Sequence, residues 1–242
     1  MLPTARARHN REYLNGFRLR GLEVTRLEGF ADAVFGFALT LLVVSLDVPK
    51  TFNDLMDSMR GFPAFALCFV LLALIWNAHY KFCRRYGLDD TLTRFLTCVL
   101  LFLVLFYVYP LKFLFNLSVN ELIFGVSPNT IHLNLAQVSV LLIIYGLGFA
   151  AVYLAISFLY IHAWRLRDAL ELNELERLET RFLLMRMATF VVTGICAAAL
   201  ASFPRTLRWS GLCYLLLFPI MMLQSARQRR KRAPFLADAD FR

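Results

Sequence analysis

From Gly29 to Leu46 the chain carries one formal charge, Asp32, set in an otherwise apolar run. A carboxylate inside a membrane helix costs about 2.5–3.5 kcal/mol on insertion scales, so one placed there requires a partner and suggests a function. The second long apolar run ends in Trp76-Asn77-Ala78-His79-Tyr80-Lys81-Phe82, where Trp76 and His79 are three residues apart and share a helix face. An N–H from either ring would hydrogen-bond the Asp32 carboxylate and lock the first helix to the second. If His79 is the partner, the pair also reads as a proton relay of a secondary transporter. If neither is, Trp76 and His79 are interfacial anchors. No other constellation offers chemistry: C-x-x-C, H-E-x-x-H, G-x-S-x-G, a glycine-rich phosphate loop and paired carboxylates are all missing from the sequence, which leaves an enzyme nothing to work with.

The run around Asp32 has two unlike faces. At 100° per residue, Phe30, Leu41 and Val44 fall within about 40° of Phe37, and Asp32 lies about 140° away. Gly29, Ala31, Ala33, Gly36 and Ala38 make the helix rich in small residues, which lets neighbouring backbones approach closely in lipid.

These residues must be positioned by membrane helices. Of 242 residues, 59% are hydrophobic and 18% charged, against roughly 45–50% and about 25% in soluble domains. The expected fold is therefore all-α and polytopic. Spans of about 20 apolar residues fit Leu27–Leu46, Gly61–Tyr80, Phe95–Leu111, Val138–Trp164, Met187–Pro204 and Trp209–Ala226. Residues 1–26 form a basic leading segment, 27–226 the six-helix domain, and 227–242 a basic tail. The net charge of +9 comes from Arg and Lys clustered before the first span, between spans two and three, between spans four and five, and after span six. That asymmetry places both termini in the cytoplasm. It reports orientation and attraction of the basic termini to anionic lipids rather than nucleic-acid binding. The chain's first 44 residues hold Glu12, Glu23 and Glu28 and no Ser, unlike a transit peptide.

Four of the five cysteines lie in the spans without a pairing pattern and read as small apolar side chains. Gly146 and Gly148 read as close-packing positions. The segment Arg165–Arg186 reads as a helical hairpin extending the fourth and fifth spans, with Glu171, Glu174, Glu176 and Glu179 on a solvated face.

The run Arg26-Leu27-Glu28-Gly29-Phe30-Ala31-Asp32 resembles the R-x-x-x-F-S-D signature that opens the first helix of the transmembrane protein 175 family of potassium channels. Trp76-x-x-His79 followed by Phe82, and Pro110 late in the third span, are similar to that pattern too. Bacterial members have six spans and one motif copy and form homotetramers, and no second R-x-x-x-F-x-D occurs after residue 120. The resemblance implies a potassium-preferring pore in the bacterial inner membrane, lined by four copies of the first helix, with no TVGYG filter, cofactor or resident metal. Phe37 would form the narrow constriction, Leu41 and Val44 further apolar layers, and Thr40 a hydroxyl ring in contact with transiting K+. Arg26, Phe30, Asp32, Trp76, Asn77 and His79 would form the motif network that governs gating or assembly. Two positions depart from the pattern: Ala31 replaces Ser, which leaves Asn77 to complete an Arg26–Asp32–His79 network, and Phe37 stands where Ile or Leu is usual.

Overall fold

The computed structural model describes residues 13–14, 17–44, 50–124 and 134–239. Local chemistry sets the helix ends. Thr25 Oγ1 accepts the Glu28 backbone N–H at 3.1 Å, satisfying one donor that a helix start leaves unpaired, and α1 (Arg26–Val44) follows. Reciprocal capping boxes open three more helices: Thr51 with Asp54 before α2 (Phe52–Arg60), Asn134 with Gln137 before α5 (Leu135–Arg165), and Asn173 with Glu176 before α6 (Glu174–Ala201). Helix α3 (Phe62–Tyr86) follows α2 after Gly61 alone and stops at Gly87, whose left-handed φ of 60° favours glycine.

Helix α4 (Thr91–Phe124) runs past its expected end and contains Pro110, which removes one intrahelical donor. The neighbouring α5 braces this stretch: Tyr145 hydrogen-bonds the Pro110 carbonyl, and Tyr107 donates to the Tyr145 carbonyl at 3.2 Å. The last apolar run is not one straight α-helix, as a single span over Trp209–Ala226 would suggest. It comprises α7 (Leu207–Leu212), a 3-10 turn at Cys213–Leu216 and α8 (Leu217–Ala239), tightening just after the poor helix former Gly211.

Among the described residues, five helices are long and apolar enough to cross a membrane: Phe62–Tyr86, Thr91–Phe115, Leu135–Arg165, Glu174–Ala201 and Leu207–Phe235. Helix α1 is not one of these five, although its 19 residues rise about 28 Å, close to a hydrocarbon thickness. Its neighbours are α3 and α4; α5 touches α3, α4 and α6; α7 and α8 pack on α6. One continuous core joins Phe35 and Leu42 of α1 to Leu72 and Phe82 of α3, Val104 of α4 and Ile156 of α5. The close-packing reading of the glycines holds. A Cβ on Gly146 would sit 2.7 Å from the Gly194 carbonyl, and one on Gly148 would strike the Tyr107 ring at 2.4 Å.

The reading of Glu171–Glu179 as a solvated face is corrected. Glu171 and Glu174 are exposed, but Glu176 and Glu179 are 1% and 2% exposed. Each is buried because cations from distant segments converge on it: Arg20 on Glu176, and Arg85 with Arg232 on Glu179. Arg232 thereby docks the basic tail helix rather than only facing lipid. The connection is also shorter in helix than a continuous hairpin, because α5 ends at Arg165 and α6 begins at Glu174. The polar, turn-rich run 126–137 that precedes the fourth span lies mostly outside the described residues.

Candidate functional site

Helix α1 presents one covered and one bare face. Glu28, Ala31, Phe35, Ala38 and Leu42 recur at three- and four-residue intervals and are buried against α3 and α4. On the other side Phe30, Phe37 and Leu41 are 54%, 59% and 40% exposed, and Thr40 is exposed beside them. A Cβ built on Gly29 or Gly36 would meet nothing within 4 Å. The apolar stripe expected from spacing is thus the face that the protomer itself leaves uncovered. Thr40 Oγ1 donates to the Phe37 carbonyl at 2.7 Å, which spends its proton and leaves oxygen lone pairs free to accept. The side chain of Val44, the outermost layer of the stripe, lies outside the described residues.

Of the two rings offered to Asp32, Trp76 is the partner: its Nε1 donates to Asp32 Oδ1 at 2.7 Å. His79 is not. It is 1% exposed, faces Thr97 Oγ1 at 3.4 Å and lies near Cys83 Sγ. The 60° between positions three apart on a helix turns Trp76 to the rim and His79 into the core. The expected Arg26–Asp32–His79 network is corrected accordingly. Arg26 is exposed and has no hydrogen bond or ion pair among the described residues, and the same holds for the half-buried Asn77 as a side-chain partner. Ala31, in place of the motif's Ser, is fully buried. A proton relay through an Asp32–His79 contact has no geometric basis in this arrangement.

A second rung lies one turn below. Arg84 Nη2 meets the buried Glu28 Oε1 at 3.2 Å, Trp76 stacks on Tyr80 at 5.5 Å between ring centroids, and Arg84 lies over Tyr80 at 5.4 Å. Glu28 and Asp32 are four apart on α1, and Trp76, Tyr80 and Arg84 are four apart on antiparallel α3. The repeat of one helical turn on both rails clamps the first turns of α1 to α3 and leaves its opposite face free.

That clamp extends into the N-terminal segment. Strand β1 (Tyr13–Leu14) pairs antiparallel with β2 (Phe17–Arg18), and the chain from Phe17 to Thr25 straps across the ends of α3 and α6. Phe17 is fully buried, edge-on to Tyr86 at 5.8 Å, with the Arg85 guanidinium 4.7 Å over its ring. Arg20 and Gly21 donate backbone N–H groups to the Arg84 carbonyl, and a Cβ on Gly21 would lie 2.3 Å from the Cys83 oxygen. Glu176 accepts from the Arg18 N–H at 2.8 Å, Arg20 Nη1 and Nη2 at 3.2 and 2.9 Å, and the Asn173 N–H at 3.1 Å. Sequence reasoning missed this strap, although Asn15-Gly16 between Leu14 and Phe17 is a strong two-residue hairpin signal. At the far end of α1, Lys112 Nζ donates to the Leu42 carbonyl at 2.9 Å.

Comparison with known proteins bears on what this scaffold serves. Residues 26–110 match the family model of the endosomal/lysosomal potassium channel TMEM175. A potassium channel of Marivirga tractuosa is 36% identical over 236 residues, covering 92% of this chain and 94% of its own. One of Streptomyces collinus is 27% identical over 94 residues, 36% of this chain and 46% of that protein. The crystal structure of the potassium channel MtTMEM175 superposes with a TM-score of 0.80 at 34% identity, covering 90% of this chain and 99% of that one. A TMEM175 homologue from Chamaesiphon minutus shares the fold, with a TM-score of 0.57 at 22% identity over 84% of this chain and 96% of its own.

Proposed function

The chain belongs to the TMEM175 potassium-channel family, an integral membrane family of channels rather than enzymes, and on that premise we propose that it conducts K+ passively through a central pore built from four copies. Each copy contributes the bare face of α1. The single observation that carries this reading is that Phe30, Phe37, Thr40 and Leu41 are exposed on a helix whose other face is fully packed. In a membrane protein such a face requires either lipid or another copy. Thr40 and two glycines on it favour another copy, since small and hydroxylated surfaces permit close approach and ion contact.

In this arrangement four Phe37 rings form the constriction and exclude water from the closed path. Leu41 and Val44 add apolar layers. Four Thr40 oxygens, their protons engaged by the Phe37 carbonyls, replace part of the hydration shell of K+. Selectivity then rests on these groups and not on a TVGYG carbonyl loop. The Glu28–Arg84 and Asp32–Trp76 rungs hold each α1 at its radius from the axis. Arg26, on the same side as Phe30, is placed to meet a neighbouring copy at the pore entrance. Domain 27–226 spans the membrane six times with both termini in the cytoplasm of a bacterial cell, where the exposed Arg227, Arg229, Arg230 and Lys231 face anionic lipid.

Reconstituted vesicles test the proposal. Potassium-loaded vesicles containing the protein should lose K+ down its gradient with no counter-ion gradient imposed, and should lose Na+ more slowly under the same conditions. Flux that appears only when a proton gradient is applied would contradict it in favour of a coupled transporter.

A further inference from the structure

Away from α1, a partly open cavity of about 420 Å³ lies between α3, α4, α5 and the α7–α8 segment, lined by Leu71, Tyr107, Leu114, Phe149, Gly211 and Tyr214 among others. An engineered apolar cavity of about 150 Å³ already stays dry and takes up benzene, so this one is large enough for a substantial length of hydrocarbon. Its polar groups decide what chemistry it accepts. Tyr107 donates to the Tyr145 carbonyl, Tyr145 to the Pro110 carbonyl, and Ser210, also in the lining, to the Ala197 carbonyl at 2.9 Å. Only the Tyr214 phenol has no hydrogen-bond partner among the described residues, while its ring packs edge-on to Phe149 at 5.3 Å. A wall with its donors already spent and one free hydroxyl suits a long hydrocarbon ending in a polar acceptor. It offers little to water, which needs two to four polar partners.

We propose that this cavity is a phospholipid site: one acyl chain of a bilayer phospholipid fills it, with the ester carbonyl accepting from the Tyr214 hydroxyl. The site is separate from the proposed ion path, since no α1 residue lines it. Its occupant wedges α7 against α4 and α5, so lipid holds the last span in place where protein side chains leave a gap. Filling 420 Å³ with hydrocarbon restores the close contacts that a void forfeits.

Gly211 provides the test, because a Cβ there meets nothing within 4 Å. Gly211→Leu adds a side chain to the cavity lining at a position where its Cβ strikes neither backbone nor another side chain. The full chain, purified in detergent and stripped of lipid, is titrated with dioleoylphosphatidylethanolamine while its Tm is followed. The wild type should gain about 5 °C at saturation, as a ligand that binds only the folded state does. Gly211→Leu should start at or above the lipid-free wild-type Tm and gain less than half as much. Native mass spectrometry should show one fewer retained phospholipid per chain in the variant. If Gly211→Leu does not fold, Leu142→Trp, from the α5 wall, is measured in its place. Equal gains in wild type and filled variant would overturn the proposal, because lipid then acts elsewhere. No gain in the wild type would overturn it too, pointing to a protein segment or a second copy in the cavity.

Discussion

Replacing Phe37 by Ala should raise passive K+ flux through reconstituted vesicles by at least about tenfold, equivalent to lowering the barrier by about 1.4 kcal/mol. The ring is 59% exposed within the protomer, so its loss opens no cavity in the protomer core and should leave folding intact. Four phenyl groups around one axis close a path by excluding water; four methyl groups in the same place do not. The Thr40 hydroxyls remain, their protons still held by the carbonyl of residue 37, so the preference for K+ over Na+ should survive even as flux increases. Unchanged flux from an assembly of unchanged mass would show that the constriction lies elsewhere. A large flux with selectivity abolished would assign selection to the Phe37 faces, which attract cations in their own right.

Glu176→Ala should cost about 3–5 kcal/mol of stability, the usual penalty for leaving one partner of a buried ion pair alone. It removes four acceptor contacts together: the Arg18 and Asn173 backbone N–H groups and both ends of the Arg20 fork. The α6 capping box and the strap that precedes α1 share that one carboxylate, so their loss is coupled. At roughly 2–4 °C per kcal/mol for a chain of this size, Tm should fall by about 10 °C. Glu174→Ala is the control. Glu174 is exposed in the same first turn, where removing a charge costs less than about 1 kcal/mol. Equal effects of the two substitutions would mean that the strap contributes nothing to stability.

Much of the fold could be read from the sequence because the apolar runs are long and bounded by charge: five of the expected spans coincide with helices long and apolar enough to cross a membrane, α1 covers 26–44 of the first, and the buried and bare faces of α1 follow its periodicity. The Asp32–Trp76 contact was also legible, from the cost of an unpartnered carboxylate and the rings that end the second run. What spacing left open was which ring faces Asp32, since positions 76 and 79 both lie near the same face and packing against Thr97 settled the choice for His79. The Glu28–Arg84 rung was hidden in the motif itself, because nothing local distinguishes Glu28 from a solvated first-turn acid. Glu176 and Glu179 read as surface for the same reason. Their partners Arg20, Arg85 and Arg232 are far away in sequence, and long-range ion pairs leave no periodic trace. The break in the last span gave only a weak sign, a glycine at position 211.

The central claim is that the uncovered face of α1 surrounds a shared axis. A density map of the detergent-solubilised assembly tests it most directly: four α1 helices should enclose the central path, with the four Phe37 rings at its narrowest point. A map in which α1 borders lipid, or in which another helix stands between α1 and the symmetry axis, would contradict it.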